Sequence, residues 1–126
     1  MSIRVLLAED EPHIVESLTF LLERAGYQVD VETDGRAALE SALDNVPDVL
    51  VLDVMLPELD GYEVLRRLRS DDRTKGLPTL MLTAKGQRED RETAMDVGAD
   101  IFITKPFANA EIVEAINKLT SGQADA

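Results

Sequence analysis

The sequence predicts a doubly wound α/β domain in which five parallel strands form one sheet, order 2-1-3-4-5, with helices on both faces in three layers. Two observations predict it. Short apolar runs alternate five times with segments of helical periodicity. Four of those runs (Val5-Leu6-Leu7-Ala8, Val49-Leu50-Val51-Leu52, Leu80-Met81-Leu82 and Ile101-Phe102-Ile103) are apolar almost throughout, as in strands buried on both faces. The right-handedness of β–α–β crossovers then leaves few topologies.

The first strand is expected over Ile3–Ala8. Helix Glu11–Ala25 follows, with Ile14, Leu18, Leu21, Leu22 and Ala25 on one stripe and Gly26 as a left-handed stop. In strand Tyr27–Val31, Val29 and Val31 alternate with Gln28 and Asp30, which indicates one wet face and an edge position. Helix Gly35–Asn45 leads through Pro47 to strand Asp48–Leu52. Helix Tyr62–Ser70 leads through Pro78 to strand Thr79–Leu82; both prolines stand where a missing amide is tolerated. Helix Arg88–Val97 is different, because Gln87 to Thr93 carry no apolar residue before Ala94. So few anchors imply low local stability, and this helix is expected to be the mobile element. Strand Ile101–Ile103 precedes helix Asn109–Thr120, whose apolar stripe is Ile112, Val113, Ile116 and Leu119. Residues 1–121 are expected to form one domain and 122–126 a short frayed tail.

Composition narrows the function. Against 13 basic residues stand 25 acidic ones, a net charge of −12, which opposes direct binding to nucleic acid or to an anionic membrane surface. No apolar stretch approaches the roughly 20 residues of a membrane span, so no membrane insertion is expected. The absence of cysteine excludes disulfides and thiolate metal sites and fits a cytoplasmic location.

Ligands of such sheets bind at the carboxyl ends of the strands. Glu9 and Asp10 follow the first strand, Asp53 the third, Thr83 the fourth, and Thr104, Lys105 and Pro106 the fifth. Three carboxylates, a hydroxyl and an ammonium therefore converge on one rim. Carboxylates crowded together raise one another's pKa, and a bound cation relieves this. Oxygen-only ligands select a hard ion, Mg²⁺ or, as a substitute, Mn²⁺. Lys105, the Thr83 hydroxyl and the Ala84 amide could hold the oxygens of a transferred phosphoryl group, and an aspartate nucleophile would form an aspartyl phosphate. Taken singly, each residue has a plainer use as a helix cap or solvated charge; the joint arrangement carries the reading.

The segments Leu7-Ala8-Glu9-Asp10-Glu11, Val51-Leu52-Asp53-Val54-Met55-Leu56-Pro57, Met81-Leu82-Thr83-Ala84-Lys85 and Thr104-Lys105-Pro106-Phe107 resemble the motifs of response-regulator receiver domains of two-component signalling, at matching spacing from Ile3 to about Leu119. The resemblance implies a chemotaxis-regulator-like, flavodoxin-like fold and assigns roles. Asp53 would accept a phosphoryl group from a phosphohistidine on a sensor histidine kinase or a histidine phosphotransfer protein. Asp10, Asp53 and the Met55 carbonyl would bind Mg²⁺, with Glu9 acting on the ion through water. Many family members have Asp where Glu9 stands. Lys105 would contact a phosphoryl oxygen and precede a cis peptide to Pro106. Thr83 and the aromatic Phe102 would form the switch, carrying the change through the fourth helix, fifth strand and fifth helix to a downstream effector protein.

His13, the one histidine, falls in the first turn of helix one and is expected at the surface rather than as a phosphoryl carrier. Members fused to winged-helix domains carry a charged dimer face, but Ile101, Ala115 and Asn117 replace charges there while Arg91, Asp96 and Asp100 keep part of it. The expectation is a stand-alone switch, monomeric or weakly dimeric when phosphorylated, that catalyses only its own phosphoryl transfer and slow dephosphorylation. The alternative is a haloacid-dehalogenase-like phosphatase or phosphotransferase with Asp53 as nucleophile, against which Met55 occupies the usual place of the acid. A flavin or nucleotide module would need a phosphate loop where Glu9-Asp10-Glu11-Pro12 stands.

Overall fold

A computed structural model describes residues 2–84 and 88–124, with only the backbone described at 88–90 and 122–124. The elements run β1 (Arg4–Ala8), α1 (Pro12–Arg24), β2 (Gln28–Glu32), α2 (Gly35–Asp44), β3 (Val49–Asp53), α3 (Gly61–Arg69), β4 (Thr79–Thr83), α4 (Arg88–Asp96), β5 (Ile101–Thr104) and α5 (Asn109–Ala124). The sheet is parallel throughout in the expected order β2-β1-β3-β4-β5.

Register explains how the two cores divide. Val5 pairs with Val49 and Leu80 with Ile101, so side chains of one parity share a face. Val5, Leu7, Val49, Val51, Leu80 and Leu82 pack with Leu18 and Leu22 of α1 and with Ile112 and Ile116 of α5. The opposite parity (Leu6, Ala8, Leu50, Leu52, Met81) packs with Ala38 of α2, Leu65 of α3 and Ala94 of α4. Full burial of a leucine stabilises by roughly 1.5–3 kcal/mol.

β2 is an edge strand with exposed Gln28 and Asp30, as its alternation indicates. β5 departs from expectation: all four of its residues are half-buried, because a terminal strand lacks a neighbour on one side. Three strands continue one residue further than their apolar runs. Asp53 and Thr83 end β3 and β4 while still in register with Leu82 and Thr104, and β5 ends on Thr104. The ladder is a backbone property, and a polar side chain does not stop it. Helix α5 also corrects the expected tail, since it runs to Ala124 instead of stopping at Thr120. Thr120, itself buried, donates its hydroxyl to the Ile116 carbonyl at 2.8 Å, and Ser121 donates to Lys118 at 3.0 Å. These internal bonds suit hydroxyl side chains to a helix's last turns.

Helix starts are marked by side chains that accept backbone amides. Glu11 caps α1 by accepting from His13 and Ile14, Asp34 caps α2, and Asp60 caps α3. Gly26, at φ 97°, supplies the stop after α1. No helix among the described residues is long and apolar enough to cross a membrane.

Candidate functional site

The carboxyl ends of β1, β3 and β5 bring the predicted residues together. Glu9 follows β1 with its amide held by the Glu32 carbonyl at 3.1 Å. Asp53 continues the Val49–Val51 row at the end of β3. Carboxylate oxygens of Glu9, Asp10 and Asp53 all lie within 4.8 Å of one another. Glu9 and Asp53 are buried, at 0 % and 2 % exposure, while Asp10 is exposed. The cluster is thus walled on two sides and open on the third.

Lys105 Nζ closes the wall. It lies 2.9 Å from Glu9 Oε1, as an ion pair without a well-aligned hydrogen bond, and 3.2 Å from Asp53 Oδ2. Its backbone is fixed by an amide bond to the Thr83 carbonyl at 2.6 Å and by the cis Lys105–Pro106 peptide that the resemblance implies. The other oxygens are held by amides: Glu11 donates to Glu9 Oε2 at 3.1 Å and Met55 donates to Asp53 Oδ1 at 3.3 Å. Burial pushes the Glu9 carboxyl above its ordinary pKa, and the pull of Lys105 and the Glu11 amide does not cancel it. Burial acts to lower Lys105, but its pairs with Glu9 and Asp53 outweigh this and leave it raised.

Among the described residues three carboxylates face one ammonium, so these ionised groups together carry a net charge of two negatives. An all-oxygen set of this kind, with one exposed member, fits a hard divalent cation that keeps part of its water. The donor chemistry therefore suits Mg²⁺, with Glu9, Asp10 and Asp53 as the residues that would hold or orient it.

The remaining predicted residues do not all join the cluster. Thr83 is buried at the end of β4, one position past Asp53's partner Leu82, and Met55 is 65 % exposed beside the cluster. Exposed Ala84 borders a cavity of about 500 Å³ together with Lys105, His13, Ile14, Ser17 and Phe107. His13 is exposed, as expected. Phe102 has the opposite parity to Ile101 and Ile103. It lies away from the carboxylates, half-buried against the α2–α3–α4 core, with the Arg91 guanidinium 5.7 Å from its ring centroid. Lys85, expected to flank the site, lies outside the described residues.

Sequence reasoning missed Gly61. A Cβ there would stand 2.3 Å from the Asp53 carbonyl oxygen, so only glycine lets the start of α3 close on the end of β3; the Gly61 amide donates to the Val54 carbonyl at 2.9 Å. The Asp60-Gly61 pair, a cap followed by a glycine, was the available signal.

Comparisons with known proteins agree with this fold. The family model of the response regulator receiver domain matches residues 5–117. The chain is 42% identical over 116 residues to the DNA-binding dual master transcriptional regulator RpaA of Synechocystis, covering 92% of this chain and 48% of that protein. It is 45% identical over 112 residues to the alkaline phosphatase synthesis transcriptional regulatory protein PhoP of Bacillus subtilis, covering 89% and 46%. The chain spans about half the length of these curated relatives. Among solved structures, the receiver domain of the Francisella response regulator 1452 superposes with a TM-score of 0.91 at 31% identity, covering 97% of this chain and 99% of that one. The receiver domain of sensor histidine kinase PA1611 from Pseudomonas aeruginosa superposes with a TM-score of 0.88 at 30% identity, covering 96% and 99%; a magnesium ion is coordinated in that protein's active site cleft.

Proposed function

The chain belongs to the response regulator receiver family and is a phosphorylation-dependent signalling switch, and from that premise we propose that Asp53 is its phosphoryl acceptor. The donor is a phosphohistidine on a sensor histidine kinase or a histidine phosphotransfer protein. One observation carries the reading: the Asp53 carboxylate lies within 4.8 Å of two other carboxylates and 3.2 Å from an ammonium, at the end of a buried strand.

In the transfer, an Asp53 oxygen attacks phosphorus in line with the histidine nitrogen, the N–P bond breaks, and the imidazole leaves and recovers its proton. Asp10, Asp53 and the Met55 carbonyl would hold Mg²⁺, or Mn²⁺ in its place, with Glu9 acting through water, and the ion would supply positive charge to the phosphoryl oxygens. Lys105 is already poised beside Asp53 and turns its charge to a phosphoryl oxygen, so the positive charge is in place before negative charge develops. The Ala84 amide and the Thr83 hydroxyl supply further donors. The cavity beside Lys105 receives the donor's surface.

Thr83 and Phe102 form the switch. Phosphoryl oxygens bind Thr83 and Lys105 better in one arrangement of the loops, and this differential affinity shifts the population. The α4, β5 and α5 surface then regulates a downstream effector protein in the cytoplasm, with the chain monomeric or weakly dimeric. Residues 1–121 carry the receiver function. The phosphatase alternative draws no support from the relatives, and Met55 can donate no proton to a leaving group.

Phosphoryl labelling with acetyl phosphate and Mg²⁺ tests the acceptor. The wild type should label and Asp53→Asn should not, while Thr83→Ala should label yet bind its effector poorly. Equal labelling of wild type and Asp53→Asn would refute the assignment.

A further inference from the structure

Helix α4 is tied firmly on its C-terminal side. Just past its C-terminal end, the Gly98 carbonyl accepts from Arg69 Nη2 at 2.7 Å and Nε at 3.1 Å. The same guanidinium reaches the Thr74 carbonyl at 3.3 Å, Thr79 Oγ1 at 3.4 Å and Asp100 Oδ2 at 3.4 Å. Asp100 in turn accepts the Thr79 amide at 2.8 Å. One half-buried arginine at the end of α3 thus ties the α4–β5 turn to the base of β4. The turn is shaped for it: Gly98 has φ 105°, and a Cβ there would stand 2.8 Å from Arg69 Nε.

The body of the helix buries little among its described side chains. Among the described side chains of α4, Ala94 is fully buried, whereas Arg91, Glu92, Thr93, Met95 and Asp96 are exposed. Arg91 nevertheless makes one specific contact, its guanidinium over the face of Phe102. Such a contact is worth about twofold to fivefold in an equilibrium at an exposed site.

We propose that Arg69 and Arg91 are positioning residues of the switch: Arg69 fixes a hinge at Gly98, and Arg91 holds the Phe102 ring in its unphosphorylated place, so that α4 pivots about Gly98 instead of shifting bodily. This rests on the reading of Asp53 as acceptor. It adds which part of the helix moves and which contact must be released first. A pivot places the largest displacement at the end of α4 near Thr83, where the phosphoryl group acts, and the smallest at the α4–β5 turn. Releasing Arg91 costs little, so a modest differential affinity at the site suffices to drive it.

The test uses the whole chain with Mg²⁺, with and without beryllofluoride as phosphoryl mimic. Hydrogen exchange is read over 91–96 and 97–101, with NMR of the Phe102 ring and the rate of labelling by acetyl phosphate. In the wild type the mimic should change exchange over 91–96 and leave 97–101 unchanged. Arg91→Ala without the mimic should raise exchange over 91–96 about twofold to fivefold, move the ring signal toward its mimic-bound position and speed labelling; Arg91→Lys should restore much of each. Arg69→Gln should let the mimic-induced change spread into 97–101, which a mere loss of stability without a hinge would not produce. Equal change over both segments in the wild type would overturn the hinge. An Arg91→Ala ring signal and labelling rate identical to wild type would overturn the latch. If the wild type failed to label at Asp53 at all, the acceptor assignment would fall, an outcome distinct from labelling that proceeds without a pivot.

Discussion

Lys105→Met removes the ammonium that, among the described residues, faces three carboxylates, and the structure sets the size of the effect. Glu9 is fully buried with Lys105 Nζ 2.9 Å from its Oε1. Without that partner Glu9 must either stay ionised in a buried place or take up a proton. Protonation caps the penalty, because the folded state pays only for binding a proton that the unfolded chain releases above its ordinary pKa of 4.5. Each pH unit above that value costs about 1.4 kcal/mol. The ceiling is therefore about 3 kcal/mol at pH 7 and below about 1 kcal/mol at pH 5. The sign follows from linkage: a carboxyl whose folded pKa is raised stabilises fully below its unfolded pKa and loses that contribution as pH rises through the folded value. Urea unfolding in EDTA, wild type against variant at pH 5 and pH 7, measures the difference. Mg²⁺ should then stabilise the variant, by about 1.4 kcal/mol at ten times its dissociation constant, as a divalent charge takes over from the ammonium. A loss equal at both pH values, or none at either, would refute the view that Lys105 neutralises Glu9.

Other expectations follow from single contacts. Gly61→Ala should cost about 1–3 kcal/mol in chemical unfolding and slow labelling, because its Cβ would meet the Asp53 carbonyl at 2.3 Å; Gly76→Ala, with nothing within 4 Å, should be neutral or slightly stabilising. Leu52→Ala should cost about 2–5 kcal/mol, read the same way, since the side chain is fully buried. Asp71, pulled down to about 2 chiefly by its side-chain bonds from Arg73, should contribute stability above its ordinary 3.8 and lose it as pH falls toward 2; NMR titration of Asp71 in Arg73→Ala should find the carboxyl back near the ordinary value.

The strand order and the identities of Glu9, Asp10, Asp53 and Lys105 were legible because both depend on one-dimensional signals. Apolar runs mark the strands, and in a parallel sheet the residue after each run lands on a known rim. Contacts between distant segments left no such mark. Arg69 reads as one more surface base of α3 until Gly98 and Asp100 are folded against it. Gly61 reads as a helix start until the Asp53 carbonyl approaches it. The half-burial of β5 was missed for a different reason: Ile101-Phe102-Ile103 is as apolar as the central runs, although the expected strand order already leaves β5 without a neighbour on one side.

Parity also bears on how the signal must travel. Asp53 continues the row facing α1 and α5, whereas Phe102 faces α2, α3 and α4. On the proposed role of Asp53 as acceptor, a change there has to cross the sheet to reach α4. Thr83 stands at the crossing: it is paired with Thr104 of β5, two residues past Phe102, and its carbonyl holds the Lys105 amide. A pull on Thr83 toward a phosphoryl group on Asp53 thus acts at once on the end of β4, on the lysine beside the acceptor and on the strand that carries the aromatic ring. The buried core cannot absorb such a displacement continuously. The half-buried edge strand and the helix beside it, with few buried side chains, are where the structure can yield, which under the proposed role of Asp53 lets a change on the α1–α5 side of the sheet reach α4 on the other.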